Sequence, residues 1–272
     1  MNFSKEAKKR LFKAYGKINS LSNNAKLDGV KSFDLPLSTC ENRCLLSGQF
    51  FKICYTHNNQ QTHINPDRIA KLKHNLRMIR SPKFVKTLSY EIRECLHFRF
   101  FGMGDIENLE QLRKIFQVCK IRHETKFSMI TSRDDLLCQA VQNRETKPDN
   151  LQIILSSGLI DEPVPAFEQK ILNPLGVQFS HITTNPDKAT CQASKTGFCD
   201  NCRDCYKNPA DQTSTNQDSL IIFSLHGKYN TARAEKMKDY QNGTGSAVQT
   251  VQNHAKTQNQ TKTKTRRNAR TD

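Results

Sequence analysis

The sequence of 272 residues contains no tryptophan and no long hydrophobic run. Its longest purely apolar stretch covers only residues 220–223, and the first ten residues lack the apolar core of a signal peptide. A membrane-spanning helix needs about 20 apolar residues in succession. We therefore expect a cytoplasmic protein that neither crosses a membrane nor is secreted.

Several sequence signatures of common enzyme classes are also absent. We find no glycine-rich loop of the kind that binds nucleotide phosphates, and no serine or cysteine nucleophile motif. No repeat of 20–50 residues is evident, which argues against a solenoid or a propeller. These absences narrow the function without identifying it.

Positive charge is abundant but spread along the chain. Lysine and arginine number 42 against 26 acidic residues, a formal net charge of +16. Residues 241–272 hold six basic residues and one acidic residue, so the tail accounts for only part of the excess. The basic surface and the tail permit nucleic-acid binding, although many basic faces are simply solvated.

Composition divides the chain into three parts. Residues 241–272 consist mainly of polar residues and cannot form a core, which predicts a disordered basic tail. Residues 1–25 predict a short basic amphipathic helix over 4–15, followed by a linker. Between them, residues 26–240 predict one α/β domain.

Helical and strand patterns alternate through this domain, which is typical of a parallel sheet with crossover helices. A helix should begin at Pro66 and end before Ser81-Pro82, a second should follow Gly104-Asp105, and a third should open at Ser132 with a capping-box pattern. Strands are predicted at 33–37, 97–101, 126–130, 151–155, 177–182 and 219–225. Six such strands predict a partial (β/α)6-like parallel barrel, with an open doubly wound sheet as the alternative.

Ten cysteines in a chain without an export signal argue for free thiols and metal ligands rather than disulfides. Cys95, Cys119 and Cys138 stand alone, and we expect each to be a small buried apolar residue. The other seven form two clusters.

The C-terminal cluster comprises Cys191, Cys199, Cys202 and Cys205 in a cysteine-rich loop. Four thiolates within such a short segment can converge on one metal site. Zinc would form a closed structural site. The successive two-residue spacings from Cys199 to Cys205 also match the first three ligands of bacterial ferredoxins, so an iron–sulfur cluster remains open.

The N-terminal cluster, Cys40, Cys44 and Cys54, directly follows the first predicted strand. Three thiolates leave one coordination position free, as catalytic metal sites do. Alternatively, His57 or His63 completes an ordinary zinc site, or one of the three cysteines is not a ligand.

Several short motifs, taken in order, resemble the gene product 88 family of bacteriophages and mobile elements. The motifs are Asp34-Leu35-Pro36 before Cys40, Cys54-Tyr55, Gly104-Asp105, Thr131-Ser132 and the terminal Cys199, Cys202, Cys205-Tyr206 series. The resemblance extends over roughly residues 17–230. It implies a phage or mobile-element protein with little assigned biochemistry.

That family is in turn similar to radical S-adenosylmethionine enzymes, whose partial barrel carries three cysteines after its first strand. The likeness implies a [4Fe–4S] cluster on Cys40, Cys44 and Cys54 that binds S-adenosylmethionine. It also implies that the turn containing Gly102, Gly104 and Asp105 contacts this cofactor. The alternatives are that Asp105 is only the N-cap of the next helix, and that the protein is a zinc-stabilised nucleic-acid-binding or accessory protein.

Overall fold

A computed structural model describes residues 21–23, 30–40, 66–191, 203–207 and 220–224. The helices in this part of the chain are α1 (Pro66–Arg80), α2 (Phe84–Glu91), α3 (Leu109–Ile121), α4 (Asp134–Gln142) and α5 (Ala166–Leu172). The strands are β1 (Leu21–Asn23), β2 (Lys31–Phe33), β3 (His97–Phe100), β4 (Lys126–Thr131), β5 (Leu151–Ile160), β6 (Gln178–Thr183) and β7 (Leu220–Ser224). The helix predicted for 4–15 and the tail predicted for 241–272 lie outside the described residues.

All the strands belong to one sheet whose spatial order follows the sequence from β1 to β7. β1 is antiparallel to β2, and each later strand is parallel to the strand before it. A doubly wound sheet reverses its strand order part-way across, and this sheet does not. The domain is therefore a mixed α/β fold built on a seven-stranded, mostly parallel sheet.

One face of the sheet is apolar and carries the helices. Phe98 and Phe100 of β3 pack against Phe127 of β4, with ring centroids 6.0 and 5.7 Å apart. Leu112 of α3 and Leu137 of α4 are fully buried in the same cluster. This layer of aromatic and aliphatic side chains is the main hydrophobic core.

The opposite face of the sheet is unexpectedly polar, because side chains alternate along each strand. We call it the polar face; its members are Ser32, Arg99, Ser128, Gln152, Gln178 and Ser180. Four of them form a continuous row across β2 to β5, since they are direct partners in the strand register. The sheet thus has an apolar side and a buried polar side.

A short segment, residues 203–207, lies against the polar side of the sheet near β4 and β5. We call it the docked segment. The ring of its Tyr206 meets the ring of His97 edge-on at 5.2 Å, and Tyr206 also packs with Val30. Val30 precedes β2 and His97 begins β3, so the docked segment covers the N-terminal edge of these strands.

Several sequence predictions are confirmed and others are wrong. The five strands from β3 to β7 and the helix from Pro66 to Arg80 occur where expected. The first parallel strand is Lys31–Phe33 rather than 33–37, and the short strand β1 and the helix α2 were not predicted. No helix within the described ranges is long and apolar enough to cross a membrane.

The predicted capping box at the start of α4 is also wrong. Arg133 is the N-cap residue and makes no side-chain capping bond. The Ser132 hydroxyl instead lies 3.2 Å from a carboxylate oxygen of Asp105. A tertiary partner has replaced the local one.

The three solitary cysteines are packed as predicted. Cys119 is fully buried in the core of α3, and Cys95 and Cys138 are half-buried against the same core. Burial raises the pKa of Cys119 well above its ordinary value and also raises the pKa of Cys95. Both effects favour the uncharged thiol.

Candidate functional site

Cys40 lies at the C-terminal edge of the parallel sheet. The chain leaves β2 at Phe33 and makes a 3-10 turn at Leu37–Thr39, which ends at Cys40. The Cys40 N–H donates to the Leu37 carbonyl at 2.8 Å, and the thiol is partly exposed and forms no disulfide. In parallel α/β sheets, ligands bind outside this edge.

The turn after β3 runs directly beside the chain that leads to Cys40. The Phe101 N–H donates to the Phe33 carbonyl at 3.0 Å, and the Leu35 N–H donates to the Met103 carbonyl at 2.9 Å. These two bonds continue the pairing of β2 and β3 beyond the ends of both strands. The two segments are consequently held together at the sheet edge.

Both glycines of this turn are explained by the close approach of the two segments. The Gly102 N–H donates to Asp34 Oδ1 at 2.8 Å, and a Cβ at Gly102 would lie only 3.0 Å from that oxygen. Gly104 has a φ of +75°, and a Cβ there would lie 2.6 Å from the Leu35 carbonyl oxygen. Gly104 therefore allows a backbone contact that no other residue permits.

Asp105 connects this turn to the residue next to Cys40. Its backbone N–H donates to the Thr39 hydroxyl at 2.9 Å. The start of the N-terminal cysteine cluster and the glycine turn therefore meet at one edge of the sheet, as the strand pattern predicted.

The Asp105 side chain is fully engaged by the protein. Its Oδ1 accepts bonds from the Thr131 hydroxyl at 2.6 Å and the Ile106 N–H at 2.8 Å, and its Oδ2 accepts the Ser132 N–H at 2.9 Å. The residue is only 4% exposed. Burial raises the pKa of Asp105, and these hydrogen bonds oppose the rise.

Asp105 is not the N-cap of the following helix. That position belongs to Asn108, whose side chain accepts the Gln111 N–H at 3.0 Å. Asp105 instead ties the turn after β3 to the end of β4. This alternative interpretation of the sequence is therefore wrong.

A cation stands beside the same edge. The Arg133 guanidinium makes two hydrogen bonds of 2.8 Å to Asp135 and donates to the Ile106 carbonyl at 2.7 Å. The hydrogen bond to Asp135 raises the pKa of Arg133, and the charges of Asp135, Asp105 and Cys40 add to the rise. A permanent positive charge near a cysteine favours the thiolate form that binds metals.

Cys191 is attached to the last strand of the sheet. The N–H groups of Thr190 and Cys191 both donate to the Ile222 carbonyl at 3.1 Å, and the Thr190 hydroxyl accepts the Ile222 N–H at 2.9 Å. The beginning of the C-terminal cysteine cluster is thereby fixed to β7.

Cys205, the last cysteine of that cluster, lies in the docked segment and packs with Val30 and Tyr206. It is therefore near the N-terminal edge of the sheet, whereas Cys40 lies at the C-terminal edge. β3 alone spans roughly 13 Å at about 3.3 Å per residue, far more than two metal–thiolate bonds of about 2.3 Å. Cys40 and Cys205 cannot bind the same ion.

Most of the predicted metal ligands cannot be placed. Cys44, Cys54, Cys199 and Cys202 lie outside the described residues. Among the residues that the structure describes, no three metal-binding side chains come together. Metal binding by either cluster thus stays a prediction.

A family model named gene product 88 matches residues 1–171. The chain belongs to the gene product 88 family. No curated protein and no solved structure gives a match. In this gene product 88 protein the match includes Cys40 and the glycine turn but ends within α5. The polar residues of β6 and the whole C-terminal cysteine cluster lie beyond it.

The polar face escaped sequence reasoning altogether. In β4 and β5 a polar residue stands between apolar ones, as in Phe127-Ser128-Met129 and Leu151-Gln152-Ile153. Such alternation usually marks a solvent-exposed side. Ser128 and Gln152 are nevertheless only 1% exposed. The usable signal was the recurrence of serine and glutamine at alternate positions of several neighbouring strands.

Proposed function

We propose that this protein of phage or mobile-element origin is an iron–sulfur enzyme of the radical S-adenosylmethionine type, built on a partial parallel barrel. In this proposal Cys40, Cys44 and Cys54 hold a [4Fe–4S] cluster at the C-terminal edge of the sheet. Cys191, Cys199, Cys202 and Cys205 hold a second metal, zinc or iron–sulfur, in a closed site.

The observation that carries the proposal is the position of Cys40. It follows the first of six parallel strands that are arranged in sequence order, at the edge where such sheets hold their ligands. Arg133 supplies a positive charge to the same edge. This combination supports an open thiolate site beside the glycine turn.

The glycine turn has a defined role in this proposal. Asp105 positions the turn through its bonds to Thr131 and Ser132, and the exposed backbone at Gly102 and the adjoining Gly104 remain for contact with the cofactor. A bound [4Fe–4S] cluster with S-adenosylmethionine supplies radical chemistry. The protein supplies the thiolates, the cation and the shaped edge.

The C-terminal cluster has a different role. Cys191 is bound to β7 and Cys205 lies under the N-terminal edge of β2 and β3. A metal that joins the two ends of this loop would fasten the docked segment to the sheet. We infer a structural site there.

Metal analysis after anaerobic purification tests the proposal. We expect iron and acid-labile sulfide in the wild-type protein, with absorbance at about 400 nm typical of such clusters. Cys40→Ala should lose the iron of the open site, Cys205→Ala should lose the metal of the closed site, and the solitary Cys138→Ala should lose neither. Zinc alone, with no absorbance after reconstitution, would refute the enzyme proposal.

A second candidate, a zinc-stabilised nucleic-acid-binding or accessory protein, is favoured by one surface. The exposed side of α1 carries Arg68, Lys73 and Arg77, and the exposed Lys83 and Lys86 follow within a few residues. Clustered cations of this kind attract the phosphate backbone. The predicted basic tail, 241–272, would extend the same attraction.

Binding to labelled RNA and DNA over a range of salt concentrations separates this candidate from the first. A Lys73→Glu/Arg77→Glu variant should weaken binding and reduce the salt slope by about 0.9 for each phosphate that the variant no longer neutralises. The control exchanges two exposed lysines on other helices, Lys120→Glu/Lys170→Glu. Equal effects of the two pairs would show that only net charge matters.

A further inference from the structure

The polar face carries an uninterrupted row of hydrogen-bonding side chains. Ser32, Arg99, Ser128 and Gln152 are successive register partners across β2, β3, β4 and β5. On β6, Gln178 stands beside Ile154 and Ser180 beside Ser156 on the same face. Polar groups therefore extend over five strands on the side that carries no helix.

These side chains are buried, yet many of their polar atoms have no partner among the described residues. Gln178 and Ser180 are 0% exposed. No described residue bonds to either amide atom of Gln178, to the hydroxyls of Ser128 and Ser180, to Gln152 Oε1, or to Arg99 Nε. Buried polar groups in native proteins are almost always paired, and leaving them unpaired costs stability.

A second buried glutamine shows what a paired one looks like here. Gln111 of α3 is 2% exposed, and its Oε1 accepts the Glu107 N–H at 3.0 Å. Its Nε2 donates to the Glu107 carboxylate at 2.8 Å. The fold thus satisfies a buried amide when that amide is structural, and Gln178 stands out against it.

We propose that the polar face is a binding site for a nucleoside monophosphate. This proposal is independent of the metal sites. Arg99 is the cation of the register row and suits a phosphate. The Gln178 amide offers a donor and an acceptor side by side, as the polar edge of a nucleobase requires. Ile154, beside Gln178, provides an apolar surface for a flat ring.

The docked segment limits how such a ligand enters. Tyr206 packs on His97 and Val30 and so covers the N-terminal edge of the polar side. Entry is consequently from the C-terminal edge, where the turn that contains Cys40 begins. The ligand would lie between the two cysteine clusters.

Thermal melts of the free protein give the first test. Gln178→Met removes two unpaired buried atoms, so we expect the Tm to stay unchanged or to rise by about 2–4 °C. Ser180→Ala, which removes an unpaired hydroxyl, should behave alike. Gln111→Met, the matched control, should lower the Tm. If Gln178→Met lowers the Tm as much as Gln111→Met, the amide is bonded within the protein and the proposal is overturned.

Ligand binding gives the second test. The 5′-monophosphates of adenosine, guanosine, cytidine and uridine are added separately to the full chain, and the shift in Tm is measured. At least one should raise the Tm of the wild-type protein, and Gln178→Met and Arg99→Met should each weaken that binding at least tenfold. The metal content of each variant should equal that of the wild type.

Two further additions identify the part of the ligand that is recognised. Nucleosides without phosphate should bind more weakly than the monophosphates, because they lack the group that meets Arg99. Inorganic phosphate alone should produce a smaller shift. A shift from inorganic phosphate equal to that from the nucleotides, or no shift from any of the four, would overturn the proposal.

Discussion

Asp161, which follows β5, repeats the hydrogen bonds that Asp105 makes after β3. Thr131 and Thr183, at the ends of the next strands, each donate a hydroxyl hydrogen bond to the preceding aspartate. The residue after each threonine then donates its backbone N–H to the same carboxylate, at 2.9 Å for Asp105 and 3.0 Å for Asp161. Two pairs of strands are therefore joined by the same arrangement of an aspartate and two hydroxyl residues.

The two aspartates differ in one respect, which predicts unequal effects of Asp→Asn. Both oxygens of Asp105 accept a backbone N–H, from Ile106 and from Ser132. An asparagine there must place its NH2 group against one of these donors, and we expect a loss of about 2–3 kcal/mol in the free energy of unfolding. Asp161 accepts a backbone N–H at one oxygen only, so Asp161→Asn should cost less than about 1 kcal/mol.

Urea denaturation measures both aspartate variants. The exposed Asp149→Asn serves as the control and should change little. Equal losses for Asp105→Asn and Asp161→Asn would contradict this account of the difference.

Gly104→Ala should destabilise the protein severely. The new Cβ would lie 2.6 Å from the Leu35 backbone while the residue keeps a φ of +75°, so we expect a loss of at least about 3 kcal/mol. Gly176→Ala is the matched control. It shares a positive φ of +56°, but its nearest neighbour is Lys147 Cε at 3.7 Å, so only the backbone strain of about 1 kcal/mol applies. Similar losses in the two urea transitions would argue against the close approach at Gly104.

The stability of the fold should fall as the pH drops below about 6.5. Burial lowers the pKa of His97, and the charges of Arg203 and Lys126 lower it further. The unfolded chain takes up the proton first, so the stabilising contribution of neutral His97 is present above pH 6.5 and is lost as the pH falls towards its lowered pKa. Burial lowers the pKa of His74 and His181 in the same direction.

His97→Phe isolates the contribution of this residue. Phenylalanine keeps an aromatic ring against Tyr206 but cannot be protonated. The free energy of unfolding, measured between pH 5 and 8, should depend less steeply on pH in the variant and retain the slope due to the other two histidines. An unchanged slope would show that His97 is not part of the response.

The two cysteine clusters should respond differently to mutation. Cys205 lies in the docked segment, so Cys205→Ala should release a closed metal site and lower the Tm by several degrees, since metal binding and folding are linked there. Cys40→Ala, at the partly exposed edge, should lower it much less. A chelator should reduce the difference between wild type and Cys205→Ala. Equal destabilisation by both substitutions would make the N-terminal cluster structural as well, and the enzyme proposal would fall.

The parallel strands were predictable because apolar residues recur along each of them and turn residues follow. β2 was misplaced by two residues because Leu35, beyond the strand, still bonds to Met103 and carries an apolar side chain. The helix α2 was missed because Ser81-Pro82 ends α1, and the short segment from Phe84 shows too few turns for a clear period.

The candidate site was only partly predictable for a related reason. The meeting of Thr39 with Asp105 followed from the rule that parallel strands end at one edge. The partners of Asp105 did not, because Thr131 and Ser132 bind it across 26 and 27 residues of sequence. Nor did the burial of Gln178, since periodicity distinguishes two faces of a strand but does not show what covers each.

The sequence order of the strands also bears on how the protein is made. Each strand pairs with the one synthesised just before it, so the sheet can grow from β1 to β7 while the chain leaves the ribosome. Residues 203–207 are translated only after β6, so the polar side remains uncovered until synthesis is nearly finished. Translation therefore offers an interval in which a small solute reaches this surface before the chain encloses it.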